Sequence, residues 1–435
     1  MDKLNNKKVI LTNKFIKNLL DETYKKTIQV SSFLLNEKYS GYESDINTGI
    51  SSSHLKGQGT NPLIWEFGHI DSFYKQHLLQ YLFNDIKYDK LFDSIITNRQ
   101  RRFNKKLNKL SIFNNYINTY NKCLEWLKNN QLDEKTSYLF LLSILHNHMH
   151  IESFLFTKKL LNINNNFKTI NNYNKKIKIK FIKINEGYFY QGASEGENLL
   201  AFDNEKPKFR NFIKSFYIAD IPITNLMYLN FIENGGYVKK DIWCEDGWEF
   251  IIKNKITNPL YWKLKDNMWY EKVYNNYEKL NLNLPVCHIS WYEAKAVAKY
   301  YDGRLPTESE WEYVATNEGK TKYPWGNEMN SNYCNVDYNG ITNVYNFIKG
   351  NTINEVRQMI GNVWEWCSDS IYPYDGYKID PIYREFSYPF FGFKKVLRGG
   401  SYTVPNYLIN TKYRNSQLPD MRIQFTGVRI VKDLK

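Results

Sequence analysis

Three of the chain's seven histidines lie close together in the segment LHNHMHIESF, which runs from Leu145 to Phe154. If this segment is helical, with a rotation of ~100° per residue, His146 and His150 project from one face, one turn apart. His148 is rotated by about 200° from His146 and cannot join them. Two imidazoles at this spacing can bind one metal ion. Alternatively, one of them is a buried, hydrogen-bonded structural histidine, and the spacing of the pair is due to chance. Helix geometry alone leaves both interpretations open.

A third histidine that could complete a metal site lies in the segment NPLIWEFGHIDSFY. Pro62 stands near the first turn of a predicted helix, where proline is tolerated. His69 lies in the middle of that helix beside Gly68, and a glycine there lets another group approach the backbone closely. His77 is the competing candidate on the same helix, nearer its far end.

The histidines fall on two of four helices that apolar periodicity predicts in the first part of the chain. The predicted helices cover roughly residues 13–36, 61–83, 108–129 and 134–160. Asp133 and Thr136 are both suitable N-caps for the last of them. Four helices of this length with short to moderate connections predict a four-helix bundle. Leu139 and Leu142 extend the stripe of His146 and His150, so this stripe is expected to face the inside of the bundle.

The sequence changes character after the last predicted helix. The stretch LNINNNFKTINNYNKKIK is polar and low in complexity, which is typical of a linker. From residue 177 onward, short alternating runs are separated by Gly, Pro, Asn and Asp, which predicts strands and loops. We therefore expect an α+β protein with a helical bundle over 1–162, a linker over 163–176 and a strand-rich domain over 177–435.

Composition excludes several classes of protein. No run approaches 18 apolar residues, so no transmembrane helix is expected, and the N-terminus lacks the pattern of a signal peptide. Five scattered cysteines suit the reducing cytoplasm rather than a disulfide framework. The net charge of +14 comes from lysines dispersed along the chain, so we expect neither nucleic acid nor a membrane as a partner.

Several motifs together resemble one enzyme family. The segment NPLIWEFGH, followed by the H-x-x-x-H-x-E pattern of His146, His150 and Glu152, is similar to the DinB-type bundle of the EgtB sulfoxide synthases of ergothioneine biosynthesis. The motifs FDNEKP, RLPTESEWE, YPWGNE, GNVWEW and FTGVRIV resemble the formylglycine-generating-enzyme-like (FGE-sulfatase) domain that these synthases fuse to the bundle. That domain has a C-type-lectin-like fold. The matches run from about residue 60 to the C-terminus.

The resemblance implies a non-haem iron enzyme, with Fe(2+) held by His69, His146 and His150. Glu152 would support a ligand rather than bind the metal. Three imidazoles on one side leave positions for the imidazole of hercynine, a thiolate and O₂. The implied reaction joins the imidazole C2 of hercynine to a cysteine-type thiol, γ-glutamylcysteine or cysteine, and oxidises the sulfur. The two substrates supply four electrons, which fits the absence of a flavin or nicotinamide fingerprint.

The resemblance also assigns roles in the second domain. Tyr374 and Tyr377 match a Y-x-G-[FY] element that points tyrosines at the iron site, and Tyr374 is the expected proton donor. In a chain with 35 tyrosines, the residues alone favour ordinary loop aromatics. Asn415 matches an asparagine that contacts hercynine. Gln417 stands where many relatives carry an aspartate that binds the amine of γ-glutamylcysteine, and a neutral amide holds an ammonium less well.

The residue that binds the carboxylates of the sulfur donor is expected among three arginines that follow the segment LFDS. The family has its carboxylate-binding arginines at this place. One of Arg99, Arg101 and Arg102 is expected to do this, because a guanidinium binds a carboxylate in a bidentate manner.

Other functions compatible with parts of the sequence are a related synthase that uses histidine or a selenium donor, a DinB-fold thiol-dependent transferase or hydrolase, and a non-catalytic binding protein. The tyrosine loop argues against the transferase, and the three histidines argue against the binding protein. Formylglycine generation requires a reactive cysteine pair near the C-terminal end, whereas Cys367 is the sole cysteine beyond residue 334.

Overall fold

The computed structural model describes residues 11–43, 60–103, 107–165 and 178–434. The chain divides into two compact units, Met1–Asn165 and Asn166–Lys435. Most of the predicted linker over 163–176 lies outside the described residues, so its conformation stays a prediction. Within the described ranges, no helix combines the length and the apolar character that crossing a membrane requires.

The first unit is helical, as the periodicity predicts. Its helices are α1 (Asn13–Ser31), α2 (Leu63–Phe73), α3 (Gln80–Phe83), α4 (Arg99–Arg102), α5 (Lys109–Asn129) and α6 (Glu134–Leu160), with 3-10 turns at Ser32–Leu35 and Lys90–Phe92 and a π-helical segment at Tyr74–Leu79. Helix α1 packs against α5 and α6, and α2 packs against the same two helices. The four-helix bundle is therefore present in the structure.

Helix α6 packs against α1 and α2. Of its two predicted N-caps, Asp133 is the N-cap, whereas Thr136 is the third residue of the helix and takes part in the capping from there. The Asp133 carboxylate accepts from the Thr136 backbone N–H at 2.7 Å, while the Thr136 hydroxyl accepts from the Asp133 N–H at 2.8 Å. This reciprocal arrangement is a capping box. The buried residues of this helix lie on most of its sides, and they include Leu139 and Leu142 of the predicted inner stripe. A helix that is buried on most sides holds its polar residues in fixed positions.

The second predicted helix differs from the prediction in one respect. The sequence predicts one α-helix over residues 61–83, but the π-helical segment Tyr74–Leu79 separates α2 from α3. A π turn changes the hydrogen-bond register of the backbone. Tyr74, Leu78 and Leu79 nevertheless remain buried. The apolar pattern cannot reveal such a turn because the widened segment keeps its apolar residues on the buried side.

The second unit combines short strands and helices, as predicted. Its helices are α7 (Asn225–Glu233), α8 (Glu245–Lys253), α9 (Trp291–Tyr300) and α10 (Glu308–Ala315). Its strands are β1 (Phe181–Ile184), β2 (Gly187–Gln191), β3 (Phe209–Ile213), β4 (Phe216–Ala219), β5 (Trp262–Lys265), β6 (Met268–Val273), β7 (Asn276–Lys279), β8 (Trp364–Ser370), β9 (Lys395–Arg398), β10 (Asn415–Gln417), β11 (Thr426–Gly427) and β12 (Val431–Asp433). They form sheets in the orders β1-β4-β12, β10-β9-β8-β11, β2-β3 and β5-β6-β7.

Buried ion pairs connect the sequence motifs of the second unit. On α10, Glu312 pairs with Arg398 at 2.6 Å and with Lys412 at 2.7 Å. Glu308, one turn earlier, holds Arg414 at 2.7 Å. Removing one partner would leave an uncompensated buried charge, which costs several kcal/mol, on the order of 3–5. The pairs therefore tie the end of β9 and the residues before β10 to α10.

Candidate functional site

The structure brings together the three histidines that the sequence singles out. One ring nitrogen from each of His69, His146 and His150 lies within 4.8 Å of the other two. The Nε2 atoms of His146 and His150 are 3.1 Å apart, and the three ring centroids are separated by 4.5–5.0 Å. His69 and His146 are buried, and His150 is partly buried. We call this group the histidine cluster.

The other two candidate histidines of the bundle lie outside the cluster. His148 points elsewhere, as its rotation predicts, and its Nε2 lies 2.8 Å from the Thr23 hydroxyl. Burial lowers the pKa of His148 to about 3, so this side chain is a neutral, structural histidine. His77 is on the π-helical segment, where its ring packs against Phe73 at 4.3 Å between centroids.

Hydrogen bonds fix which nitrogen of two cluster histidines faces inward. His69 Nδ1 lies 2.7 Å from the carbonyl oxygen of Phe92, and His150 Nδ1 lies 2.7 Å from Oε1 of Glu66. A carbonyl oxygen and a carboxylate oxygen both accept, so each Nδ1 carries a hydrogen and Nε2 is the nitrogen left for a metal ion. Metal-binding histidines are oriented in the same way, by a carbonyl or a carboxylate on the outer nitrogen.

The protonation state of the cluster also suits a metal ion. Burial, followed by the nearby His150, lowers the pKa of His69 well below its ordinary value. The same two causes lower the pKa of His146. Both imidazoles are therefore neutral at pH 7, which is the form that coordinates a metal. Three converging imidazole nitrogens suit iron, zinc, copper or nickel, so the residues present fit a transition-metal ion.

The surroundings of His69 explain the glycine beside it. A Cβ atom at Gly68 would lie 2.3 Å from the ring of Phe92, so only glycine lets this phenylalanine pack there. The Phe92 carbonyl is the group that orients His69. Trp65 stacks on the His69 ring at 5.2 Å, and the Arg102 guanidinium lies over the Trp65 ring at 4.4 Å. The imidazole is thus held at its edge and on one face.

Sequence reasoning missed the two groups that orient the cluster. Glu66 precedes His69 by three residues, so the helical spacing did contain a signal that both share a face. The Phe92 carbonyl gives no sequence signal, because every residue has one. Glu152 is half-buried on α6. Its predicted supporting role stays a prediction, while Glu66 is the carboxylate that contacts His150.

The three arginines differ in how they are placed. Arg102 donates to the backbone carbonyls of Thr97 and Ser94 at 2.9 and 2.8 Å, so it stabilises the loop before α4. Arg101 is exposed. The side chain of Arg99 lies outside the described part of the chain. A role in binding the sulfur donor stays a prediction for this group.

In the second unit, Tyr374 is buried and protonated. Its hydroxyl oxygen lies 3.1 Å from Nε2 of Gln191. The Arg414 guanidinium lies over the Tyr374 ring at 4.1 Å, and Phe209 contacts the ring edge at 4.9 Å between centroids. Burial raises the pKa of Tyr374 above its ordinary value, although Arg414 opposes this. The phenol therefore keeps its proton over the physiological pH range.

Tyr377 has a different environment from Tyr374. Its hydroxyl donates to Oδ2 of Asp203 at 2.7 Å. The same carboxylate accepts from the Ser387 hydroxyl and from the backbone N–H of Asp380. Burial and Asp203 both raise the pKa of Tyr377. Asp203 belongs to the FDNEKP motif, so this motif holds the tyrosine loop in place.

Asn415 and Gln417 lie on strand β10, which is half-buried. They are two residues apart, so their side chains share one face of the strand. β10 pairs with β9, which sets Asn415 opposite Leu397 and Gln417 opposite Lys395. The Asn415 side-chain oxygen accepts from the Ser416 N–H at 2.7 Å, which leaves its amide nitrogen as the donor to other groups.

The cysteines do not suit formylglycine chemistry. The five cysteines are free thiols in the structure. Cys367, the one nearest the C-terminus, is buried, and this burial raises the pKa of its thiol well above the ordinary value. A thiol of this kind is unreactive because the thiolate is the nucleophile.

Comparisons with known proteins identify relatives of both units. Residues 166–434 match the family model of the sulfatase-modifying factor enzyme 1-like domain (FGE-sulfatase). The hercynine oxygenase of Mycobacterium tuberculosis is 32% identical over 254 residues, which are 57% of this chain and 59% of that protein. The hercynine oxygenase of Mycolicibacterium smegmatis is 28% identical over 399 residues, which are 86% of this chain and 91% of that protein.

Among solved structures, PvdO from Pseudomonas aeruginosa aligns with 58% of this chain and 94% of its own, at 18% identity and a TM-score of 0.44. The match to the Mycolicibacterium smegmatis protein covers more of this chain than residues 166–434, so it reaches into the helical unit. The chain spans less than two thirds of the Mycobacterium tuberculosis protein.

These relatives confirm the resemblance to the EgtB-type enzymes of ergothioneine biosynthesis, and their names describe oxygenases. The predicted fold class, a helical unit followed by an FGE-sulfatase domain, is confirmed by the family match and the structure. The chain belongs to the sulfatase-modifying factor enzyme 1-like family.

Proposed function

We propose that this protein is an iron(II)- and O₂-dependent sulfoxide synthase of ergothioneine biosynthesis. It would join the imidazole C2 of hercynine to the sulfur of a cysteine-type thiol. The observation that carries the proposal is the histidine cluster, in which acceptors on the outer nitrogens of His69 and His150 direct their lone pairs inward. Supporting evidence is the similarity of 86% of the chain to a hercynine oxygenase.

The proposed reaction balances without a further reductant. The C2–H bond of hercynine and the S–H bond of the thiol break, and a C–S and an S–O bond form. One oxygen atom of O₂ enters the sulfoxide, and the other leaves as water with the two hydrogens. The two substrates thus supply all four electrons. Iron(II), when bound, would supply the O₂ chemistry that amino-acid side chains lack.

The bundle's part in this reaction is to hold three imidazoles in one orientation. Glu66 and the Phe92 carbonyl keep the rings of His150 and His69 from turning. Phe73 stacks on the His146 ring at 3.6 Å and keeps water from that face. Such outer contacts raise metal affinity because the ligands need no reordering on binding.

The strand-rich domain would supply the proton donor and the substrate contacts. Tyr374 is protonated and fixed, so it can deliver a proton during C–S bond formation. The Tyr377 hydroxyl donates a hydrogen bond to Asp203, so Tyr377 is better suited to shape the loop and to contact hercynine through its ring. Asn415 and Gln417 share one strand face and would bind the two substrates.

The charge of these groups is compatible with two sulfur donors. The neutral Gln417 holds an ammonium group less well than an aspartate, so γ-glutamylcysteine and cysteine both remain donors to test. A carboxylate of either thiol would be bound by one of Arg99, Arg101 and Arg102. Arg101 is the exposed member of this group, whereas Arg102 is already bonded to loop carbonyls.

The test is reconstitution of the full chain with iron(II), hercynine, O₂ and either cysteine or γ-glutamylcysteine. We expect a product with the mass of the two substrates joined, less two hydrogens and plus one oxygen. The His146→Ala protein and the zinc-loaded protein are the controls and should give no coupled product. Oxidation of the thiol alone, with no coupled mass from either donor, would contradict the proposal.

A further inference from the structure

The hydrogen bond between Gln191 and Tyr374 can run in either direction, depending on which end of the amide faces the phenol. Gln191 is the last residue of β2 and is 1% exposed. Its side chain offers a donor, Nε2, and an acceptor, Oε1. If Oε1 faced the phenol, the Tyr374 proton would be held by Gln191. If Nε2 faces it, the phenol oxygen accepts and its proton is directed elsewhere.

Neighbouring residues fix the orientation of the amide. The backbone N–H of Phe212, which can only donate, bonds to Oδ1 of Asn211 at 2.8 Å. Asn211 therefore turns its Nδ2 toward Gln191 and donates to Oε1 at 2.8 Å. The Ser309 hydroxyl donates to the same oxygen at 2.7 Å. Because Oε1 is occupied by two donors, Nε2 must face Tyr374, at 3.1 Å.

The ring of Tyr374 has little freedom to escape this contact. Arg414 lies over the ring at 4.1 Å, and Arg414 is itself held by Glu308. A Cβ atom on Gly192 would come within 3.2 Å of the ring. The phenol is therefore fixed by its neighbours, and Gln191 sets the direction of its hydroxyl. Tyr377, whose proton is bound by Asp203, is in the opposite situation.

We propose that Gln191 is a positioning residue, which donates to the phenol oxygen of Tyr374 and so keeps the Tyr374 proton available for transfer to the reacting substrates. The same donor would stabilise the oxygen after the proton has left. The inference rests on the proposed function, because it assigns Gln191 a task in the proton transfer proposed for Tyr374.

The test reverses the polarity of the hydrogen bond while keeping the shape of the side chain. In Gln191→Glu, a carboxylate accepts from Asn211, Ser309 and Tyr374, so the proton is captured. Oxidation of the thiol alone by O₂ would give a sulfinic acid instead of the coupled sulfoxide. We expect the ratio of sulfoxide to sulfinic acid to fall roughly 10²-fold, as for loss of a positioned acid. In Gln191→Leu the proton stays available, and the ratio should fall only about 2- to 10-fold, as for one neutral hydrogen bond.

A variant at Asn211, which bonds to Gln191 and not to Tyr374, tests the orientation of the Gln191 amide independently. Asn211→Asp cannot donate to Gln191, so the amide should turn and present Oε1 to Tyr374. Its product ratio should change in the same direction as that of Gln191→Glu. Gln131→Glu, an exposed site with the same change of charge, is the matched control and should leave the ratio unchanged. A ratio that falls more in Gln191→Leu than in Gln191→Glu would overturn the proposal, because it indicates loss of packing alone.

A second measurement does not depend on turnover. The full chain, without metal, is labelled with 3-fluorotyrosine at position 374, and its fluorine NMR resonance is recorded. Gln191→Glu and Asn211→Asp should move the resonance in the same direction, and Gln131→Glu should not move it. If the unsubstituted enzyme forms no sulfoxide, the proposed function fails and this resonance alone decides the inference. An unmoved resonance in both variants would overturn it.

Discussion

The two units of the molecule position their functional side chains in different ways. In the bundle, helical repeats set His146 and His150 on one face, and a second helix adds His69. In the strand-rich unit, the contact of Tyr374 with Gln191 joins residues that are 183 positions apart. The candidate metal ligands of the bundle thus come from short-range periodicity, whereas the candidate residues of the other unit come together through long-range loop packing.

The two regions also differ in their electrostatics. The histidine cluster contains two neutral rings, His69 and His146, and the Glu66 carboxylate contacts the third ring, that of His150. The second unit contains carboxylates that already have cationic partners, such as Glu312 with Arg398 and Lys412. An electron-rich cluster can accept a cation, whereas compensated pairs stabilise a scaffold. The difference favours the bundle as the unit that would hold the proposed metal ion.

The largest effect should come from removing a cluster histidine. His146→Ala should lower iron(II) affinity more than ~100-fold and abolish coupling, because one of three ligands is lost. His148→Ala, on the same helix, removes an equally buried imidazole that bonds to Thr23. It should lower the thermal stability but keep iron binding. Anaerobic iron(II) titration of both variants makes the comparison, and equal loss of iron would refute the assignment.

The second largest effect should separate the two tyrosines of the loop. Tyr374→Phe should slow C–S coupling roughly 10²–10⁴-fold and shift the product toward sulfinic acid, because a positioned acid is lost. Tyr377→Phe should raise the concentration of hercynine required and leave the product unchanged, since its proton is bound by Asp203. Product ratios and hercynine dependence are measured at saturating thiol. An unchanged ratio in Tyr374→Phe would make Tyr377 the better candidate.

A smaller effect is expected from the carboxylate that orients His150. Glu66→Leu removes the acceptor on His150 Nδ1 and should weaken iron(II) binding about 100-fold. Glu66→Gln keeps an acceptor oxygen and should weaken binding about 10-fold. The dissociation constants of iron(II) measure this order. If both variants bind iron as the wild type does, Glu66 does not orient the ligand.

The smallest effect concerns a buried carboxyl of the second unit that has no ion-pair partner among the described residues. Burial raises the pKa of Glu205 from 4.5 to about 8. Its folded-state pKa lies above the unfolded value, so its contribution to stability is complete below about pH 4.5 and is lost as the pH rises through 8. Glu205→Gln cannot ionise. The Tm of the variant minus the Tm of the wild type should therefore be at least ~5 °C larger at pH 9 than at pH 5. A pH-independent difference would contradict the assignment.

The sequence predicted the parts of the site that depend on local spacing. The bundle, the His146–His150 face and the position of His148 all follow from helical periodicity. The partners of these residues could not be predicted in the same way, because Glu66 and His150 are 84 residues apart and meet only in the folded chain. The π-helical segment was also missed, since apolar patterns do not record a widened turn.

The second unit was predicted less completely, for the same reason. Its motifs indicated the family, and its alternating runs indicated strands. The hydrogen bonds that distinguish Tyr374 from Tyr377 come from Gln191 and Asp203, which neighbour them only in the fold. The chain contains 35 tyrosines, and its sequence does not show which phenol proton is free of an acceptor such as Asp203.

The central claim is that three imidazoles of the bundle bind iron and leave room for the imidazole of hercynine. X-ray absorption at the iron edge tests it on the full chain loaded with iron(II) without O₂, before and after hercynine is added. We predict three imidazole nitrogens at roughly 2.0–2.2 Å, rising to four with hercynine. Fewer than three imidazoles at the start, or a count that hercynine does not change, would contradict the account.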